Sequence, residues 1–392
     1  MRVALSSHAN PSHLVGVLAA ARAIRAAGHD VVVVSGPSVA EQIERAGFPM
    51  VPVPSLMSTD EIIAALTNGT PWPRSGPPDR PPAHPFITPW THRQATDITD
   101  ALRPLAPDCV LRDSTELGGY IAAQCLGVPH GTVDIAPLSP CAAPGALAEL
   151  NQLRAAFGLP AVDDPWHPVR SFRIGLVPAD YYPPELRWPD ANYYQPSVAD
   201  EAADAEPCPL PAGDGPLVLA SLGMNAPVFD QRATALLNAI ITALGELPVT
   251  GVVALGMDPD GWAGARPGNV RLESFVPQRA LLRHCGLFIT HAGFNGVREA
   301  FGAGVPMVAV PLFGDHPASA RRLGELGVAT VVDPAAATAD AMRAAIGRVL
   351  DDPGFRDRAA RLRQRMGLLP RMDRMPDDLR ALVAGAAPVI GK

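Results

Sequence analysis

The first 53 residues alternate between short apolar runs and segments with helical spacing, and this alternation limits the fold to very few classes. Residues 2–6 and 31–34 are apolar or β-branched runs, which are typical of buried parallel strands. Between them, apolar residues recur at helical spacing until Gly28, a residue that ends helices. A second helix and a third strand follow by residue 53. This β-α-β-α-β order predicts an α/β protein with a doubly wound parallel sheet.

The alternation returns in the second half of the chain, where a new series of strands starts at residue 217. Residues 189–216 are rich in Pro, Asp, Glu and Ala, which is typical of a linker. At roughly 100–200 residues per domain, a chain of 392 residues exceeds one ordinary core. We therefore predict two Rossmann-like domains facing across a cleft. Their bounds are 1–200 and 216–370, with a linker at 201–215 and a C-terminal segment, 371–392, that returns toward the first domain.

Charge and composition exclude several functional classes. The 32 basic and 39 acidic residues give a net charge of −7, which argues against a protein that binds nucleic-acid backbones. No run approaches the ~18 apolar residues of a membrane span, and the N-terminus lacks a signal-peptide pattern. The five cysteines are scattered and form no CxxC pair, as expected for reduced thiols. We expect a cytoplasmic monomer or homodimer, with neither nucleic acid nor a membrane as partner.

The segment from residue 275 to 316 holds the most informative cluster of side chains. His291 and Gly293 end a predicted strand and Phe294 begins a helix, so free N–H groups and a helix dipole lie beside an imidazole. Such a turn suits a pyrophosphate. Glu299, one turn into the helix, can accept hydrogen bonds from ribose hydroxyls. Phe275 at another strand end can stack on a planar base.

Asp315 and His316 follow the next predicted strand and can bind sugar hydroxyls. All these positions lie at the carboxyl ends of strands, where open α/β sheets bind ligands. Together they resemble the nucleotide-sugar signature of family 1 glycosyltransferases of the GT-B fold. The segment is most similar to bacterial natural-product and macrolide glycosyltransferases, and the resemblance covers nearly the whole chain.

The resemblance implies a binding site for a nucleotide-sugar donor in the second domain. Two positions depart from the family pattern: Gly296 stands where a Ser or Thr often follows the Asn, and His316 stands where a Gln is expected. In plant relatives, His at that position is associated with galactose. The implied donor-binding residues are Ser221, Gly223, Phe275, Val276, Gln278, His291, Gly293, Phe294, Asn295, Gly296, Glu299, Asp315 and His316.

The family's general base falls on His13 when the sequence is aligned from the end of the first helix. Ser12 and Gly16 replace the Gly and Pro of the family's Gly-His-x-x-Pro signature. Ser12 is a good N-cap residue, which would place His13 in the first helical turn. His8, in the same loop, is the rival base.

Asp113 closes a predicted strand at the place where the resemblance implies the partner of the histidine. A carboxylate there would fix the imidazole tautomer and stabilise the imidazolium as it forms. An alternative role for Asp113 is to cap the following helix together with Ser114, and the two roles are compatible.

The resemblance implies an inverting glycosyltransferase that moves a hexose from a UDP- or dTDP-sugar to a hydroxyl of a small, largely apolar natural product. No cofactor and no metal are expected. Acceptor pockets are mostly apolar, so the expected acceptor residues come from a Pro-rich stretch and from a loop after a strand: Trp72, Phe86, Trp90 and Asp134. The alternative for the Pro-rich stretch is an exposed loop.

Two other functions share this fold. A nucleotide-sugar 2-epimerase would split the same sugar–nucleotide bond but would need neither His13 nor an acceptor pocket. A non-catalytic homologue that activates a partner glycosyltransferase is favoured by Gly296, by His316 and by the altered motif around His13. The presence of His13, Asp113, His291 and Glu299 in one chain favours an enzyme.

Overall fold

A computed structural model of the chain describes most of the sequence, and the chain divides into two compact units. Unit 1 comprises Met1–Leu176, Trp188–Val198 and Pro370–Lys392, and unit 2 comprises Val177–Arg187 and Ala199–Leu369. Trp72 and Phe86, expected to bind the acceptor, lie outside the described residues. The described residues are 1–58, 61, 89–136, 145–187, 191–196, 210–211, 213, 215–223 and 232–385.

Unit 1 is built on a seven-stranded sheet in the order β3-β2-β1-β4-β5-β6-β7, and every pairing is parallel. The strand order reverses between β1 and β4, which makes their carboxyl ends a switch point where such sheets bind ligands. The strands are β1 (Arg2–Ser6), β2 (Asp30–Ser35), β3 (Met50–Pro52), β4 (Cys109–Asp113), β5 (His130–Val133), β6 (Arg173–Gly175) and β7 (Asn192–Tyr193). The α-helices are α1 (Pro11–Ala26), α2 (Ala40–Arg45), α3 (Pro89–Leu102), α4 (Gly118–Leu126), α5 (Ala146–Ala156), α6 (His167–Arg170) and, at the C-terminus, α13 (Met375–Gly385).

Unit 2 repeats this architecture with a six-stranded parallel sheet in the order β10-β9-β8-β11-β12-β13. The switch point here lies between β8 and β11. The strands are β8 (Leu217–Ser221), β9 (Thr250–Ala254), β10 (Val270–Glu273), β11 (Leu287–Thr290), β12 (Met307–Ala309) and β13 (Ala329–Val331). The α-helices are α7 (Ala233–Gly245), α8 (Gln278–Leu282), α9 (Phe294–Ala303), α10 (His316–Glu325), α11 (Ala339–Asp351) and α12 (Pro353–Gly367). This is the α/β class that the alternation predicts.

The cores explain why the strands read as continuous apolar runs. Val31–Val34 of β2 are all buried, because helices cover a parallel sheet on both faces. In unit 2, β8, β9 and β11 pack against α7 and α11 in one apolar cluster that includes Leu237, Ile241 and Ile346. Among the described residues, none of the helices combines the length and the apolar character that a membrane span requires.

Residues 177–187 belong to unit 2, although the sequence boundary at residue 200 assigns them to the first domain. Tyr181 is fully buried, its hydroxyl is hydrogen-bonded to Ser319 Oγ, and its ring contacts Phe301. Arg322 donates to the carbonyls of Asp180 and Tyr181. The composition of residues 177–187 does not reveal that Tyr181 packs into unit 2. The predicted domain boundary therefore differs from the observed one.

Candidate active site

Unit 1 holds a first group of candidate residues where β1 and β4 end side by side in the sheet, with Ser6 paired to Arg112. Helix α1 begins at Pro11, and its N-cap is Asn10, whose side chain accepts from the Ser12 N–H at 3.0 Å. The expected cap, Ser12, is therefore wrong. Proline is favoured at the first helical position, which moves the cap back by two residues. His13 still lies in the first turn.

His13 and Asp113 contact each other directly. Nδ1 of His13 lies 3.2 Å from Oδ2 of Asp113, and the Asp113 side chain is fully buried. A carboxylate facing Nδ1 favours the tautomer with its proton on Nδ1, so that Nε2 is left as an acceptor. The two residues lie 100 positions apart in the sequence. The pair therefore has the arrangement of an imidazole base with an orienting carboxylate.

The Asp113 carboxylate also organises the turn after β4. Its Oδ1 accepts from the Thr115 N–H at 2.8 Å, the Thr115 hydroxyl at 2.7 Å and the Glu116 N–H at 2.9 Å. Its Oδ2 accepts from the Ser7 hydroxyl at 3.1 Å and the His8 N–H at 3.0 Å. Asp113 thus caps this turn and holds the histidine as well. Sequence reasoning missed Ser7, Thr115 and Glu116, and the only signal for the last two is a polar run directly after a buried strand.

These contacts decide the charge state of Asp113. Burial alone would raise the pKa of the carboxyl group, but it is outweighed by the nearby His13 and His8 imidazoles and by hydrogen bonds from His13 and Thr115. Together they hold the pKa of Asp113 well below its usual range. The partner of His13 is therefore a carboxylate at neutral pH.

His8, the rival base, is placed differently. Its backbone N–H binds Asp113, whereas its Nε2 lies 3.4 Å from the carbonyl of Thr115. Its ring stands edge-on to the His13 ring, with centroids 5.8 Å apart. His13 makes a ring-nitrogen contact with the carboxylate, and this favours His13 as the base.

Unit 2 holds the expected donor-binding residues, and several of them lie at the carboxyl end of β11. Gly293 is the N-cap of α9 and makes no side-chain cap hydrogen bond. The His291 ring fits between two glycines. A Cβ added at Gly223 would come within 2.8 Å of the ring, and one added at Gly293 would come within 2.3 Å. The site therefore needs both glycines, because no larger residue leaves room for the imidazole beside the helix N-terminus.

The His291 and His316 rings pack edge-to-face, with centroids 4.5 Å apart and planes at 79°. Burial lowers the pKa of His291 to about 4, an effect that the Ser221 carbonyl partly offsets. Burial, with a smaller effect of His291, lowers the pKa of His316 to about 3. Both rings are neutral at pH 7. They can bind a diphosphate or a sugar through hydrogen bonds, while the positive end of α9 supplies the favourable field.

The remaining donor residues lie on the same edge of the unit 2 sheet. Phe275 follows β10 and is 72% exposed, so its ring face is open to a planar base. Gln278 Nε2 donates to Glu299 Oε2 at 2.7 Å, which places an amide and a carboxylate together. Val276 is buried, and Asp315 is the N-cap of α10.

Three other donor positions surround this turn. Ser221 ends β8 opposite Thr290, and Asn295 is the second residue of α9. Gly296 is buried, and a Cβ there would lie 3.3 Å from Phe288 Cε1. That contact is tight, which gives a local reason for glycine where relatives often carry Ser or Thr.

His316 differs from its expected role as an open reader of sugar hydroxyls. It is 6% exposed, and its Nδ1 accepts from the Phe313 N–H at 3.4 Å. Its ring also packs on Phe313. Because Nδ1 is an acceptor, the proton is on Nε2. His316 is therefore a buried, neutral imidazole whose ring packs against His291 and Phe313.

The acceptor residues are the least defined part of the site. Trp90 is partly buried at the start of α3. Asp134 is 1% exposed, and its Oδ2 is bound by the Arg173 guanidinium at 2.7 and 2.8 Å. The structure gives no support to an acceptor role for Asp134, because its carboxylate is used in a buried ion pair. Its position after a strand gave no signal of the distant arginine.

The variant Gly223→Ala tests the fit of His291. Gly223 has φ +79°, so alanine brings backbone strain as well as the collision with the ring. We expect binding of UDP or dTDP to weaken at least about tenfold, equivalent to about 1.4 kcal/mol. Gly256→Ala is the matched control, since Gly256 has φ +71° and nothing within 4 Å of an added Cβ. Equal weakening by both variants in calorimetric titration would contradict the assignment.

Three buried histidines make the free energy of unfolding of the protein depend on pH. The folded-state pKa values of His130, His291 and His316 are lowered to about 3, 4 and 3 from 6.5, chiefly by burial. Below pH 6.5 the unfolded chain binds protons that the folded chain does not, so stability falls as the pH falls toward 4. Urea unfolding at pH 7 and pH 5 measures this. His316→Gln should reduce the difference, and an unchanged difference would contradict the neutral His316.

The sequence of unit 2 matches a known protein family. Residues 199–366 match the family described as UDP-glucoronosyl and UDP-glucosyl transferase. Among curated proteins, 10-deoxymethynolide desosaminyltransferase of Streptomyces venezuelae is 28% identical, and the alignment covers 96% of this chain and 97% of that protein. Tylactone mycaminosyltransferase of Streptomyces fradiae is 27% identical, with 96% and 92% covered.

Solved structures agree with the fold. The calicheamicin glycosyltransferase CalG4 superposes with a TM-score of 0.76 at 22% identity, over 99% of each chain. The glycosyltransferase VinC in complex with dTDP superposes with a TM-score of 0.74 at 24% identity, over 98% of this chain and 100% of the other. These likenesses show a glycosyltransferase with the GT-B fold, and the chain is similar over nearly its whole length to bacterial natural-product glycosyltransferases.

Proposed function

We propose that the protein is an inverting transferase that moves a hexose from a UDP- or dTDP-sugar to a hydroxyl of a small, largely apolar natural product. The observation that carries this proposal is the contact between His13 Nδ1 and Asp113 Oδ2. Attack by a hydroxyl oxygen requires a group that accepts its proton, and an imidazole oriented by a buried carboxylate is such a group. The relatives support the substrate classes, since they are named as desosaminyl- and mycaminosyltransferases and one neighbour is bound to dTDP.

In the proposed reaction, the acceptor hydroxyl donates a hydrogen bond to Nε2 of His13. The hydroxyl oxygen forms a bond to the anomeric carbon while the bond from that carbon to the diphosphate oxygen breaks. The hydroxyl proton moves to Nε2, and Asp113 stabilises the imidazolium that results. A single displacement of this kind inverts the anomeric centre, so an α-linked donor gives a β-glycoside.

The leaving diphosphate carries away negative charge, and unit 2 has groups suited to receive it. The N–H groups in the first turn of α9 and the neutral His291 donate hydrogen bonds to its oxygens. Phe275 stacks on the base, and Glu299 with Gln278 binds the ribose. Because these groups stabilise the negative charge of the leaving diphosphate without a cation, we propose that no metal is needed. Transfer should then be unchanged by EDTA.

A thermal-shift screen tests the donor assignment first. The proteins are the wild type, Phe275→Ala, His291→Ala and His13→Ala, and the ligands are UDP, dTDP, GDP, ADP and UDP- and dTDP-sugars. A bound ligand raises the melting temperature by mass action. We expect a shift with UDP or dTDP that is lost in the first two variants and kept in His13→Ala. No shift with any nucleotide would overturn the proposal, and release of a free epimerised sugar nucleotide would favour an epimerase.

A further inference from the structure

Arg112 is a fully buried cation in β4, directly before Asp113. Its Nη1 donates to three backbone carbonyls of the next turn: Glu116 at 2.7 Å, Asp113 at 3.0 Å and Ser114 at 3.3 Å. Its Nη2 donates to the Pro168 carbonyl at 2.5 Å. The planar guanidinium, with donors in a fixed fork, therefore joins the turn to α6.

The same turn supplies hydrogen bonds to the Asp113 carboxylate. The N–H groups of Thr115 and Glu116 donate to Oδ1 of Asp113, while the carbonyls of residues 113, 114 and 116 accept from Arg112. The turn is thus held from two sides, by an anion on its N–H groups and a cation on its C=O groups. A shift of this backbone would carry the carboxylate away from His13.

The burial of this arginine calls for a reason beyond stability. Removing a guanidinium from water costs free energy that its hydrogen bonds only partly return, and apolar side chains often fill such space at lower cost. What an apolar residue cannot do is fix several carbonyl groups at once. Arg112 was not selected from the sequence. The only sequence feature that points to it is its charge directly after the apolar run 109–111.

We propose that Arg112 is a positioning residue for the His13 base, acting through the backbone of residues 113–116 to hold the Asp113 carboxylate against the imidazole. Its effect on rate rests on the proposed function. Arg112→Lys keeps the charge but replaces the fork by a compact ammonium that cannot reach the same set of carbonyls. The lysine variant therefore tests geometry and not charge.

The first test is kinetic. We expect Arg112→Lys to lower kcat for transfer by about 10- to 100-fold, as a small misplacement of a catalytic group does. The KM for the donor should change little, because the donor residues lie in unit 2. Arg154→Lys is the matched control, since Arg154 is also buried in unit 1 but donates to the Pro160 carbonyl and to Tyr120. It should lower the melting temperature and leave kcat near the wild-type value.

A double-mutant cycle separates positioning from a general loss of stability. If Arg112 acts through Asp113, then Arg112→Lys has little further effect on kcat in an Asp113→Asn background. Additive losses would overturn the proposal. So would a normal kcat in Arg112→Lys.

The second test does not require turnover, so it separates this proposal from the proposed function. In ¹⁵N-histidine NMR, the wild type should show the His13 proton on Nδ1, facing Asp113. Arg112→Lys should show a mixture of tautomers, and Arg154→Lys should resemble the wild type. Wild-type tautomers in Arg112→Lys would overturn the positioning role. A wild type that transfers no sugar but gives these spectra would overturn only the proposed function.

Discussion

Replacing His13 by alanine is expected to lower kcat for glycosyl transfer by about 10²- to 10⁴-fold, the usual contribution of a general base. The variant loses the imidazole whose Nδ1 lies 3.2 Å from Oδ2 of Asp113. Binding of UDP or dTDP should be unchanged, because His13 belongs to unit 1 and the donor residues to unit 2. Steady-state rates and calorimetric titration of the nucleotide measure the two effects.

His8→Ala is the matched control for this prediction. It removes an imidazole from the same loop and keeps the backbone N–H that binds Asp113. We expect a change in kcat of only a few fold. A larger loss in His8→Ala than in His13→Ala would move the base to His8 and would leave the donor site as described.

Asp113→Asn is expected to lower kcat by up to about 10⁴-fold, as the loss of an orienting carboxylate does in other His–Asp pairs. The amide oxygen can still accept from the N–H groups of Thr115 and Glu116. Its NH₂ group then faces Nδ1 of His13 and donates to it, which moves the imidazole proton to Nε2 and blocks the base. The measurement is kcat with the fold checked by circular dichroism. A rate within tenfold of the wild type would contradict the pairing.

The same variant should change how stability depends on pH. The folded-state pKa of Asp113 lies well below its usual value of 3.8, so the unfolded chain binds a proton more readily. The stability that Asp113 contributes is therefore present above the unfolded pKa and is lost as the pH falls through the folded pKa. Asp113→Asn removes this dependence. Below about pH 4, urea unfolding should show a flatter pH dependence for the variant than for the wild type.

The class of fold, and the placement of the expected donor residues at the ends of strands, were predictable because their signals are local. A strand followed by a helix is visible in five to fifteen consecutive residues, and His291, Gly293 and Glu299 occupy one turn and one helix. The predicted N-cap of α1 was wrong by two residues. Ser12 and Asn10 are both good caps, and Asn10 is the cap because Pro11 occupies the first helical position. Local signals are therefore reliable for elements and less so for their ends.

Contacts between distant positions were decided by the tertiary structure alone. Asp134 follows a strand as ligand-binding residues do, but the neighbouring strand β6 presents Arg173 to it and the two form a buried ion pair. His316 has the position of a sugar-binding residue, and packing against His291 and Phe313 leaves it only 6% exposed. A single sequence does not reveal which side chain the neighbouring element presents.

By itself, the sequence determined that this chain folds into two parallel α/β units, and it determined the residue types at the strand ends. Both follow from periodicity and from glycine, whose effects act over a few residues. The tertiary structure decided that His13 contacts Asp113 across 100 residues, and that Arg112 donates to carbonyls of the turn formed by residues 113–116. Strand pairing brings such residues together, and pairing depends on the packing of the whole sheet.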